Sequence, residues 1–113
     1  MATPSNDAHA CDASVTLAFS ILGKRWNGMI IDVLGGGPLS FAALRRAVGG
    51  ISDAMLSDRL TELAEVDLLT RVVTPGPPVS VTYELTDKAV ELLPILEQLG
   101  GWARVNLPTP QGR

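Results

Sequence analysis

The sequence predicts a mainly α fold with one small β-hairpin wing, and three observations carry that prediction. The stretch from Ile51 to Leu63 is a capped amphipathic helix, with Ser52 at its start and Leu56, Leu60 and Leu63 at i, i+4 and i+7. Beyond it, Leu68 to Thr74 and Val79 to Leu85 alternate as strands around the tip Pro75-Gly76-Pro77-Pro78. Upstream, Gly35-Gly36-Gly37-Pro38 and Gly49-Gly50 cut the chain into short helical segments. Helices followed by such a hairpin read as a winged helix-turn-helix.

Residues 1–10 are small and polar and are expected to form a flexible tail, ahead of one domain over 11–106 and a C-terminal tail at 107–113. Asp12 is placed to cap a first helix running to about Leu22, with Val15, Ala18, Phe19 and Leu22 at helical spacing. Leu17 and Ile21 make that helix apolar on a second side, so one face is expected to meet another subunit. Gly23-Lys24-Arg25-Trp26 interrupts, and a helix restarts over Trp26 to Leu34. The next spans Leu39 to Val48, with Ser40 as cap and Phe41, Leu44 and Val48 inward. The helix capped by Ser52 carries Ala54, Ser57, Asp58 and Thr61 on its outer face, and short polar side chains near a helix N-terminus can reach base edges in a major groove. Prolines at the hairpin tip deny it strand pairing, so it projects. Thr86 caps a last helix to about Val105, with the stripe Ala89, Leu92, Leu93, Leu96, Leu99 and Trp102. Pro94 predicts a kink there, because it removes one backbone bond and crowds the preceding turn.

At 113 residues and 46% hydrophobic, the chain suits one domain with one core, helped by a partner. No apolar run approaches the roughly 20 residues of a bilayer span, and no charged-then-apolar segment opens the chain, so no membrane partner and a cytoplasmic location are expected. One cysteine and one histidine leave neither a disulfide framework nor a four-ligand zinc site, so neither metal nor cofactor is expected. An enzyme is not expected either. His9 and Cys11 lack a third group to orient them, and Gly35-Gly36-Gly37-Pro38 lacks the Lys-Ser/Thr of a phosphate loop. The net charge of −3 is awkward for a nucleic-acid binder, since duplex affinity comes largely from neutralised phosphates. The cations are nonetheless grouped, with Lys24-Arg25, Arg45-Arg46, Arg59 and Arg71 in the middle of the chain.

In this order the segments resemble the HxlR family of bacterial regulators, relatives of the MarR-type winged-helix proteins. The resemblance rests on Cys11, Gly23-Lys24-Arg25-Trp26, Gly37-Pro38-Leu39-Ser40-Phe41 with Leu44-Arg45, Gly50-Ile51-Ser52 with Met55-Leu56-Ser57, Leu60 to Leu63, and Tyr83-Glu84-Leu85-Thr86. It implies a homodimer joined mainly through its first and last helices, bound to a double-stranded DNA operator by paired recognition helices in successive major grooves. Ser40, Thr61 and Ser80 depart from it, standing where such sequences often carry Arg or Lys. Asp67 replaces the usual helix-ending Gly, at a cost of about 1 kcal/mol in the left-handed conformation.

On this reading Ser52, Ala54, Ser57, Asp58 and Thr61 face the groove, while Arg45, Arg46 and Arg59 hold phosphates. Lys24 and Arg25 are further candidates. Plainer readings stand beside these: Ser52 is a cap in any case, Ser57 and Thr61 suit a solvated face, Arg59 can pair with Glu62 or Asp58, and Asp58 is a bystander unless it reads cytosine. Cys11, just ahead of a helix whose free amides favour a thiolate, is a candidate redox or electrophile sensor, as in several relatives. Its modification can end in an intersubunit disulfide, a mixed disulfide or an alkylated adduct. Otherwise it is a small residue sealing the dimer. A small-molecule effector instead requires a pocket, for which Phe19, Trp26, Met29, Leu96, Leu99 and Trp102 are candidates against an ordinary core and dimer seam. The expected function is therefore a sequence-specific DNA-binding transcriptional regulator, a repressor, whose operator binding responds to an effector or to modification of Cys11. The alternative is a winged-helix protein–protein interaction module, favoured by net acidity and a wing without Lys or Arg.

Overall fold

The computed structural model describes residues 10 and 12–109, so Cys11 and most of the expected tails lie outside the description that follows. Within it the order is α1 (Ala13–Leu22), α2 (Asn27–Leu34), α3 (Phe41–Val48), α4 (Asp53–Glu65), β1 (Leu69–Thr74), β2 (Ser80–Leu85), α5 (Asp87–Val90) and α6 (Leu92–Asn106). Four helices start where a short polar side chain accepts a backbone N–H. Asp12 takes that of Ser14, Ser40 that of Ala43, Ser52 that of Met55 and Thr86 that of Ala89. Each bond satisfies one of the amides that a helix start leaves without a partner.

The core is built from Ile30, Ile31 and Leu34 of α2, Leu44 of α3, Leu56, Leu60 and Leu63 of α4, Leu69 of β1 and Ile51 in the turn. The predicted α4 stripe is thus buried in full. β1 and β2 pair antiparallel, with Leu69 opposite Leu85 and Thr74 opposite Ser80. Asp67 adopts φ 62, the left-handed conformation expected of the helix-ending position.

Two expectations are corrected. Leu39 is not helical: it bridges Tyr83, its N–H donating at 3.1 Å and its carbonyl accepting at 2.8 Å. Ser40 is extended as a cap must be, which leaves Leu39 outside the helix with both backbone groups free for the hairpin. The last helix, expected to kink, is broken into α5 and α6 at Glu91. Pro94 has no N–H for the carbonyl of Val90 four residues back, and the break begins just after that residue.

α1 and α6 contain no buried residue. Leu17 and Phe19 on α1, and Ile95, Leu99 and Trp102 on α6, are at least half exposed. Among the described residues no helix is long and apolar enough to cross a membrane.

Candidate nucleic-acid interface

The turn from α3 to α4 is made by Gly49 and Gly50, both in the left-handed region at φ 74 and 79, where a Cβ would be strained. Arg45 Nη1 lies 2.7 Å from Asp53 Oδ1, an ion pair that ties the end of α3 to the first residue of α4. Past this turn Ala54, Ser57, Asp58 and Thr61 are all exposed, as the helical wheel required, and the cap residue Ser52 is exposed as well. Arg46 is exposed on α3 and has no ion-pair partner among the described residues.

Arg59 takes the plainer of its two expected places, paired with Glu62. Its side chain is only 19% exposed and its Nη1 lies 3.2 Å from Glu62 Oε1, on the inner flank of α4. The same carboxylate accepts from Lys24 Nζ and, at 3.2 Å, from Asn27 Nδ2. The hydrogen bond from Lys24, with those charges and the Asn27 bond behind it, holds the Glu62 carboxyl below the usual carboxylate range despite the opposing effect of burial. Lys24 and Arg59 are therefore both engaged with Glu62. Arg25 sits over the Trp26 ring, 4.3 Å from its centroid.

Between α4 and the hairpin lies an open hollow of about 410 Å³, lined by Ser57, Leu60, Thr61 and Glu65 from the helix and by Leu69, Arg71 and Tyr83 from the strands. Arg71 is exposed and without an ion-pair partner among the described residues, so the hairpin does present a cation beside Ser57 and Thr61. The site assignment from sequence missed it. The signal was available, because strand alternation places Arg71 on the same side as Leu69, which is buried toward the core.

An HxlR-like helix-turn-helix family model matches residues 21–111. The chain belongs to the HxlR family. The HTH-type transcriptional regulator YodB of Bacillus subtilis is 44% identical to it over 86 residues, 76% of this chain and 77% of YodB. The solved reduced form of YodB matches with a TM-score of 0.78 at 39% identity, over 87% of this chain and 96% of that one. A quinone-bound form of YodB matches with a TM-score of 0.72 at 36% identity, over 83% and 99%. Membership of the HxlR family makes this chain a DNA-binding transcriptional regulator of winged helix-turn-helix fold, with the β1–β2 hairpin as its wing.

The effector pocket expected for such a regulator is assembled only in part. α2 and α6 enclose an open hollow of about 640 Å³ to which Met29, Leu96 and Leu99 contribute, alongside Gly28, Gly35 and Leu93. Phe19, Trp26 and Trp102 do not line it. Trp26 packs against the core at the start of α2, and Phe19 and Trp102 stand on outward faces. After the break at Glu91, α6 lays Leu93 and Leu96 against the core, while Trp102 stays exposed. Cys11, the other expected sensor, lies outside the described residues.

Proposed function

We propose that this chain is a cytoplasmic homodimeric repressor that lays the first half of α4 in the major groove of an operator and releases it in response to an effector. The observation that carries the reading is the display of Ser57 and Thr61 on one exposed face of α4, with Ser52 exposed at its cap, beside two guanidinium groups without an ion-pair partner among the described residues, Arg46 on the helix before it and Arg71 on the wing after it. Arg45 adds those donors that its pairing with Asp53 leaves over. Ala54 and Asp58 complete the groove-facing set, with Asp58 suited only to an exposed cytosine amine.

Dimerisation is supported by the apolar faces of α1 and α6, which no other described element covers. Response to an effector is supported by the quinone-bound form of the relative YodB. In this chain the chemistry would fall on Cys11, its only thiol, or on the hollow lined by Met29, Leu96 and Leu99. Both adjoin the helices assigned to the dimer, so either would alter the spacing of the two recognition helices.

The test is salt-dependent binding of the purified protein to the duplex immediately upstream of its own gene, against a scrambled duplex of equal length. Specific, salt-sensitive binding by a dimer is expected, and loss of the protein should raise transcription from that upstream region. A folded dimer without preference at low salt overturns the operator reading. Treatment with diamide or benzoquinone should release wild type and spare Cys11→Ser; equal release from both discards the thiol in favour of the hollow.

A further inference from the structure

Among the described residues, the polar bonds that join the recognition helix to the α1–α2 junction all end on one carboxylate. Asn27, the fully buried first residue of α2, donates to the Ile21 carbonyl in the last turn of α1 at 2.9 Å and to Glu62 at 3.2 Å. Lys24, in the connector itself, donates to the other oxygen of Glu62. Between these two anchors stands Trp26 at φ 85, a left-handed conformation that a bulky side chain adopts only when its surroundings hold it there. The route is therefore continuous: end of α1, Asn27 and Lys24, Glu62, α4.

We propose that Glu62 is a positioning residue for DNA reading, which clamps α4 to the α1–α2 junction and sets the angle at which Ser57 and Thr61 are presented. The inference rests on α4 being the reading helix. Leu56, Leu60 and Leu63 fix how deep α4 sits, but apolar contact is non-directional and permits rotation about the helix axis. Hydrogen bonds are directional, and an ionic group held in a part-buried network specifies register even where it adds little stability. Glu62 directly follows Thr61 on the same rigid helix, so a turn at one is a turn at the other. A displacement of α1 reaches the reading face through the same carboxylate.

Glu62→Gln separates this from simple electrostatics, because the two predict opposite signs. The variant removes a negative charge from the DNA-reading helix and frees Lys24 and Arg59, so charge alone predicts tighter binding to any duplex. Loss of the clamp predicts weaker binding to the operator only. Full-length wild type and variant would be titrated with the upstream duplex and with its scrambled counterpart at one salt concentration, with the active fraction counted by stoichiometric titration. The expected result is an operator-to-scrambled preference that falls about tenfold, with scrambled affinity unchanged or raised. Lys24→Met, which keeps the apolar stem and cuts the other end of the same bond, should lower the preference by a similar factor. The double variant should fall within about twofold of either single, since both cut one connection. A preference unchanged in both single variants overturns the proposal, and either one alone suffices if the other does not fold. A wild type without preference instead overturns the operator reading beneath it.

Discussion

The middle of this chain and the flanking helices α1 and α6 each carry apolar faces, and these are packed in opposite ways. In the middle, Ile30, Ile31, Leu44, Leu56 and Leu63 are all shut off from solvent, whereas at the ends α1 and α6 hold no buried residue. The middle closes on itself because three helices and a hairpin meet around one point, each contributing one stripe. The ends have nothing left to close on: α6 covers α2 with one face and leaves Ile95, Leu99 and Trp102 outward on the next. On the proposed function, a reading head complete within one protomer is carried on helices whose apolar faces are left for a second copy, and it can be moved without being unmade.

That contrast is open to attack from both sides. Leu60→Ala strikes the closed region and should cost about 2–5 kcal/mol in urea unfolding, by the same amount at every protein concentration. Trp102→Ala strikes the open one. It should leave the protomer folded while raising the dimer dissociation constant about tenfold or more in sedimentation, as for an aromatic anchor at an interface; unchanged sedimentation would place the seam elsewhere. Ser52→Ala removes the cap of α4 and should cost about 1 kcal/mol of stability in thermal unfolding. Arg71→Ala should leave stability alone, weaken operator and scrambled DNA together and lower the salt slope by about 1 per subunit. The smallest effect is in acid. Because Glu62 is held below its ordinary value in the fold, its contribution is whole above the unfolded carboxylate value and fades as pH drops through the folded one. Glu62→Gln should accordingly flatten the acid limb of a urea-midpoint series run from about pH 6 to 3.

How much of this was readable beforehand depends on distance along the chain. The caps at Asp12, Ser40, Ser52 and Thr86 were, since each bond closes within two or three residues. So was the Leu56, Leu60, Leu63 stripe. Arg59 was readable in part: its pairing with Glu62, three residues on, was one of two readings the sequence offered, but the choice follows the Glu62 cluster, whose other members lie 35 and 38 residues away. Pro94 announced a disturbance, yet break and kink differ in what the two halves pack upon. Here Ala89 is buried on one side and Leu93 packs tightly on Gly35 on the other. Arg71 was overlooked although alternation with Leu69 marked its side of the strand, because its place beside Ser57 and Thr61 comes only from the packing of α4 against the hairpin.

By itself the sequence determined the side-chain caps of four helices, the apolar stripe of α4, the hairpin and its projecting tip, and membership of the HxlR family. These are properties of three or four neighbouring residues, or of their order, and hydrogen-bond reach and helical period settle them locally. Only the tertiary structure decided which apolar faces are closed, which cations stand without an ion-pair partner among the described residues and which are engaged by Glu62. Burial and ion pairing each need a second surface at contact distance, and that surface comes from residues far away in the chain.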